Sequence, residues 1–350
     1  VSEPINEVEV VAPNFKRQLS GVTSTIVQLI PLQRQQGLRI ATLGPGLPDG
    51  LPKIGWPSLL GLWRRPKARD VRIWHARRNN EMVAGVLMRD VLRMPLRLVF
   101  TSAAQRNHKP FTKWLIRRMD AVIATSARSG SYLEVPHTVI MHGVDTKRFH
   151  PAQTIDDEFL ASGLPGRYAV GCFGRVRHQK GTDLFVDAMI ALLPDYPDWT
   201  AVITGRTTAE HKSFEDGLKA RIAEAGLQDR IRFLGEVPDI RVWYRRLALY
   251  VAPSRNEGFG LTPLEAMASR TAVVASDAGA YAEMIETGRT GAVVPAGDGA
   301  ALQGAIRAYL ADPVLAAMHG DNALAHVREN FPLEKEAAAV TAVYEQVFAS

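Results

Sequence analysis

A single cysteine, Cys172, stands among the 350 residues. No internal disulfide can form, and no Cys/His cluster has the spacing of a structural zinc site, so a reducing compartment is favoured. No window approaches the roughly eighteen uncharged apolar residues of a spanning helix, and the N-terminus lacks the basic-then-apolar pattern of a secretory signal. The chain is expected to be soluble or peripheral, although Val1 is not an initiator and a preceding targeting segment stays open. Between Val8 and Gly21 no G-x-G-x-x-G turn opens a helix after the first strand, which counts against a dinucleotide-dependent oxidoreductase. Nor does a DNA- or RNA-binding motif accompany the basic charge, so nucleic acid is not an expected partner.

What is present begins with an apolar fraction of 46%, ample for two ordinary cores. The formal charge of +6 conceals a dipolar chain. Residues 1–150 hold 23 Lys and Arg against 10 Asp and Glu, whereas the remainder holds 19 against 26. A first half this basic is expected to face something anionic, such as phospholipid headgroups or a phosphorylated acceptor.

Short β-rich apolar runs alternate with longer helical patterns: Val8–Ala12, Leu38–Leu43, Val71–Trp74, Leu96–Thr101 and Ala121–Thr125, then Tyr168–Phe173, Thr200–Thr204, Ile231–Leu234, Leu249–Ala252, Ala272–Ala275 and Gly291–Val294. This is the rhythm of parallel sheets with crossover helices, and it predicts an α/β chain of two doubly wound, Rossmann-like domains. The expected layout is a first domain over 1–150, a linker over 151–165 punctuated by Pro and Gly, and a second domain over 166–333. A last helix, 334–350, can pack back on the first domain.

From Val251 a strand leads through a glycine-bearing loop to a helix opening near Thr262-Pro263, where proline suits the first turn. Backbone amides of Gly258, Phe259, Gly260 and Leu261 crowd at that helix start, a position that favours a phosphate or sugar oxygen. Two carboxylates, Glu257 and Glu265, bracket the loop and are good acceptors for paired hydroxyls. Standing alone, such a pair would signify only a solvated loop residue and a helix-dipole complement. A second element, GCFGRVRHQKG over Gly171–Gly181, supplies Gly174 for a tight turn and the cations Arg175 and Lys180. Both cations are suited to an anionic ligand.

EGFGLTPLEAMA resembles the signature of the family 4 glycosyltransferases, retaining enzymes of the GT-B fold, and the Gly171–Gly181 segment is similar to that family's G-R-x5-K-G segment. The resemblance implies two domains facing across a cleft, with the nucleotide-sugar donor held by the second domain and the acceptor by the first. It implies that Glu257 contacts the transferred sugar, that the 258–261 backbone holds sugar or phosphate oxygens, and that Glu265 binds the ribose hydroxyls. Main-chain contacts to the base are implied around Phe233, Leu234 and Gly235. Ser20-Gly21-Val22-Thr23 resembles the family's glycine-rich loop, bringing Gly21 to the donor phosphate, although Ser20 stands where many relatives have a second glycine. MHGVDTKRFHP over residues 141–151 resembles the segment that ends the first domain, with His142 replacing the usual Asn.

The first half is most similar to lipopolysaccharide core mannosyltransferases, in APNFKRQLSGVTSTIVQLIPLQRQQG and IWHARRNNEM. That likeness implies GDP-mannose as donor and an inner-core sugar, Kdo on lipid A, as acceptor, with no cofactor and no required metal. A UDP-sugar used for another glycan is the alternative, and a non-catalytic membrane adaptor is a more distant one. Where many relatives carry a histidine after the fourth strand, this chain has Ser102 and Ala103. The expectation therefore moves to His75, which ends a predicted strand, with Arg77 and Arg78 to engage an acceptor carboxylate or phosphate. Lys109–Met119 and Trp56–Arg69 mix aromatic with basic residues, as interfacial segments do. They point to peripheral attachment at the cytoplasmic face of the inner membrane.

Overall fold

Parallel strands covered by helices on both sides are buried on both faces, and they read as short apolar runs rather than alternating ones. The computed structural model describes residues 3–17 and 21–350. Its strands are β1 Val10–Pro13, β2 Ile40–Leu43, β3 Arg72–Ala76, β4 Leu96–Ser102, β5 Ala121–Ala124 and β6 Thr138–Val139 in one sheet. A second sheet holds β7 Tyr168–Phe173, β8 Trp199–Thr204, β9 Ile231–Gly235, β10 Leu249–Ala252, β11 Ala272–Ser276 and β12 Gly291–Val294. Every pairing is parallel.

The first sheet runs β2-β1-β3-β4-β5-β6 and the second β12-β11-β10-β7-β8-β9. In each, the strand order reverses once, beside β1 and β3 in the first and beside β7 and β10 in the second. Loops leaving the carboxyl ends of strands at such a reversal diverge and leave room for a ligand. In the second sheet those two loops are the Gly174–Gly181 segment and the segment leading to Glu257.

The chain divides into two units, Val1–Gly143 with Leu333–Ser350, and Val144–Pro332. Residues 151–165, expected as a linker, are built into the second unit. Val144 donates to Phe331 O at 2.9 Å, and Asp157, in a short 3-10 turn, accepts from Arg245 Nε at 2.6 Å. Phe159 is buried. The join thus falls before His150-Pro151, and of the acidic stretch that follows, Asp157 finds an arginine partner while Asp156 and Glu158 stay exposed.

The terminal helix Leu333–Ala349 belongs to the first unit. Val340, Val343, Tyr344 and Val347 pack in one cluster with Val10, Ile26, Ile30 and Ile73. Glu336, 4% exposed, accepts from Gly143 N at 2.8 Å and pairs with His142 at 2.6 Å. Among the described residues no helix is long and apolar enough to cross a membrane.

Candidate active site

Glycines fix the two loops of the second sheet at short range. Gly174 has φ +133° and Gly181 φ +69°, and a Cβ on Gly181 would lie 1.9 Å from Pro253 O. That contact presses the loop after β7 onto the loop after β10, where Arg255 pairs with Asp183 at 2.7 Å and donates to His178 O at 2.8 Å. Gly260, at φ +87°, has the Tyr281 ring where its side chain would be, 2.3 Å from a built Cβ. Only glycine satisfies both the backbone angle and that space.

These approaches bring Lys180 and Glu257, 77 residues apart, into an ion pair through Nζ and Oε2. Tyr281 OH donates to the same oxygen at 3.4 Å, and Gly258 N donates to Oε1 at 3.2 Å. The Gly258 amide, expected to face a ligand, therefore already serves Glu257. Arg175 is exposed and makes no ion pair among the described residues. Gly174, Arg175, Lys180, Ser254, Thr262 and Tyr281 border an open recess of about 290 Å³. A dipositive rim beside a carboxylate, at a strand-order reversal, suits a sugar linked to a diphosphate.

Glu265 lies on the helix Thr262–Ala268, whose second residue is Pro263. Burial pushes its carboxyl above the ordinary range, opposed by the hydroxyl of Tyr244, which donates to Oε2 at 2.8 Å, and by the charge of Arg148. Tyr244 is itself buried, with Phe149 and Phe173 edge-on to its ring. Phe233, Leu234 and Gly235 close β9 at the edge of the sheet, and Gly235 takes φ +67°. They are not among the residues that border the recess. Leu261 precedes the helix as its cap and Phe259 is buried, its carbonyl accepting from Ala280 N at 3.1 Å. Cys172 also borders the recess, but burial holds its thiol up at about 12, which removes it as a nucleophile.

In the first unit, His75 corrects the expectation made of it. It is 1% exposed; Nε2 is 2.7 Å from Thr101 Oγ1 and Nδ1 is hydrogen bonded to Tyr344 OH. Burial, then the charge of Arg77, pushes its pKa well below the ordinary value. With both ring nitrogens engaged, this side chain ties β3 to the terminal helix and offers nothing to a ligand. Arg77 and Arg78 stay part-exposed at the carboxyl end of β3. Arg77 Nη1 reaches His75 O at 3.3 Å, and Arg78 Nη1 donates to Asn14 Oδ1 at 2.8 Å and Glu81 Oε1 at 2.7 Å. Gly21 opens the helix Gly21–Gln35; Ser20 lies outside the described residues.

Residues 167–312 match the family described as glycosyl transferases group 1. LpcC of Rhizobium leguminosarum bv. viciae, a lipopolysaccharide core biosynthesis mannosyltransferase, is 71% identical over 343 residues, covering 98% of this chain and 97% of its own. The chain belongs to the group 1 glycosyl transferases. LpsB of Rhizobium meliloti (strain 1021), of the same description, is 57% identical over 346 residues, covering 98% and 99%. Anabaena Alr3699/HepE, solved with UDP and glucose, shares 19% identity at a TM-score of 0.82 over 97% of this chain and 100% of its own. The two six-stranded sheets are those of the GT-B fold.

This glycosyl transferase carries further site residues that sequence reasoning passed over. Tyr244 and Tyr281 hold Glu265 and Glu257, and neither belongs to a motif. Asn14 and Glu81, both fully buried, join three loops of the first sheet. Asn14 Nδ2 donates to Lys16 O and Pro45 O, at 2.8 and 2.7 Å; Glu81 accepts from Arg77 N at 2.8 Å and Phe15 N at 3.4 Å. Position was the available signal, since Asn14 directly follows β1 and Glu81 sits in the first turn of the helix after Arg77-Arg78. Among the described residues no group of three His, Cys, Asp or Glu side chains is placed to hold a metal ion.

Proposed function

We propose that this glycosyl transferase moves mannose from GDP-mannose to a Kdo sugar of the lipid-linked lipopolysaccharide inner core, with retention of configuration. The observation that carries the donor half is the Lys180–Glu257 pair beside the unpaired Arg175 at the strand-order reversal of the second sheet. The names borne by LpcC and LpsB support mannose and lipopolysaccharide core.

Arg175 and Lys180 hold the diphosphate and offset the charge that grows on it as the bond from the anomeric carbon to the phosphate oxygen breaks. Glu257, released from Lys180 by the donor, accepts from hydroxyls of the sugar and fixes its orientation. Glu265, steadied by Tyr244, takes the ribose hydroxyls. An acceptor hydroxyl forms the new bond to the anomeric carbon on the face the phosphate leaves, and its proton passes to a phosphate oxygen. Two side-chain cations perform the task a metal ion performs elsewhere. The acceptor falls to the first unit, where Arg77 is available to its carboxylate. An acceptor anchored in lipid brings the enzyme to the cytoplasmic face of the inner membrane.

The test is transfer of radiolabelled sugar to Kdo-lipid A by the purified chain, offered GDP-mannose, UDP-glucose and UDP-N-acetylglucosamine in turn, with and without EDTA. Transfer from GDP-mannose in the presence of EDTA, the donor's anomeric configuration kept in the product, is expected. Turnover of a uridine donor alone would overturn the assignment, and loss on chelation would remove the metal-free mechanism.

A further inference from the structure

Nine of the fourteen large apolar side chains left exposed among the described residues lie between Trp56 and Trp114. Scattered singly such groups mean little, whereas gathered on one surface they mark an interface. Three elements contribute to this one. In the 3-10 helix Trp56–Trp63, residues three apart eclipse. Leu62 is buried and Leu59 packs against the core, so Leu60, 73% exposed, and Trp63 stand outward together. In the helix Pro110–Ile116, Leu115 and Ile116 are buried while Phe111 and Trp114 are exposed.

Between them lies an element that neither interfacial segment of the sequence contains. The helix Asn79–Val86 continues into a π-helical turn, Leu87–Val91, anchored by buried Met88 and Met94, with Leu87, Val91 and Leu92 exposed. Arg93 takes φ +52°, a left-handed backbone that a non-glycine residue adopts only against steric resistance. That reversal sends Met94 inward, two residues after Leu92, which with Val91 forms the outward apolar pair.

The three elements form one surface. Trp63 Nε1 donates to Leu92 O at 2.8 Å. Arg118 donates to Asp90 at 3.2 Å and its guanidinium lies 4.3 Å from the centre of the Trp114 ring, on which Phe111 stacks at 5.9 Å. Charge completes the pattern: residues 56–118 carry 15 Lys and Arg against three Asp and Glu. Asp90 is neutralised by Arg89 and Arg118, whereas exposed Arg64 and Arg93 have no ion pair among the described residues. A second copy of the chain would set these cations against themselves.

We propose that this surface seats the first unit on a bilayer of anionic lipid, with Leu60, Trp63, Val91 and Leu92 entering the headgroup boundary and Arg64 and Arg93 meeting lipid phosphates. It deepens, and rests on, the lipid-linked acceptor proposed above. Apolar burial and cation attraction add in such seating, and the second is screened by salt.

The test is co-sedimentation of the full chain with phosphatidylcholine vesicles made with and without phosphatidylglycerol. The wild-type chain is expected to sediment only with the anionic vesicles, and less so at high salt, with a blue shift of tryptophan emission. Leu60→Gln/Val91→Gln/Leu92→Gln changes exposed side chains only and should keep the thermal midpoint while losing about tenfold in vesicle affinity, as should Arg64→Gln/Arg93→Gln. Absence of wild-type binding, or variants that sediment as the wild type does, would overturn the proposal. So would concentration-dependent dimerisation abolished by the apolar variant without vesicle binding. The vesicles contain no acceptor, so failure of the mannose-transfer reading is seen separately, in the transfer assay.

Discussion

Replacing Lys180 by alanine separates two roles of one ammonium group. In the folded protein it neutralises Glu257, which would keep only the Gly258 amide at 3.2 Å and the Tyr281 hydroxyl at 3.4 Å. The two side chains are 22% and 18% exposed. Losing the lysine therefore costs more than breaking a surface pair, about 0–1 kcal/mol, and less than orphaning a fully buried charge, about 3–5 kcal/mol. About 2 kcal/mol of folding stability is the expected loss. In turnover the loss is larger, because removing a donor aimed at developing charge costs about 3–4 kcal/mol, on the order of 10²–10³ in kcat. Urea unfolding measures the first effect and single-turnover transfer the second. Lys180→Ala/Glu257→Ala removes both partners, so it should regain part of the stability and none of the rate. A single variant within about threefold of wild-type kcat, or a double variant whose destabilisation is the plain sum of the two, would refute this reasoning.

Gly260→Ala meets both a left-handed backbone and the Tyr281 ring, so a stability loss of about 2–4 kcal/mol is expected in a thermal melt, with weakened donor binding; an unchanged midpoint contradicts it. Glu81→Gln keeps the shape but turns one acceptor oxygen into a donor facing the Arg77 or Phe15 amide. It should cost about 1–3 kcal/mol and raise the acceptor KM while leaving the donor KM alone; equal effects on both would detach Glu81 from the acceptor side. Donor affinity should fall on acidification from a pH above the ordinary carboxylate range, because burial raises the Glu265 pKa and the proposed ribose contact needs the ionised form. In Tyr244→Phe the onset should move higher still, since the lost hydrogen bond favours the carboxylate. Folding responds with the opposite sign: the raised native pKa means protonation of Glu265 adds stability as pH falls, so a drop in donor affinity caused merely by unfolding would show in the melt.

Strands were read well where both faces are covered. Tyr168–Phe173, Leu249–Ala252 and Gly291–Val294 occur with the bounds expected of them. β6, Thr138–Val139, escaped notice because it is two residues long and exposed. In the second unit, glycine spacing made the loop legible, since φ and close approach constrain residue type directly. The supports were hidden: Tyr244 and Tyr281 act through hydroxyls whose partners lie 21 and 24 residues away, and no local pattern encodes that pairing. His75 was misread for the same reason, because its partner Tyr344 is 269 residues distant. Residues 151–165 read as a linker because the pairing of Asp157 with Arg245 inside the second unit looks like solvated charge in one dimension.

The first unit is split in sequence, while the second, Val144–Pro332, is contiguous. The unit that is begun first is therefore the one completed last. A nascent polypeptide holds every residue of the second unit before it holds the helix Leu333–Ala349, and until that helix emerges Tyr344 cannot meet His75 nor Glu336 receive the Gly143 amide. The N-terminal sheet waits with the apolar face formed by Val10, Ile26 and Ile73 uncovered. Translation that stops at Pro332 leaves the second unit whole and the first unfinished, so damage at the carboxyl terminus is felt at the other end of the chain.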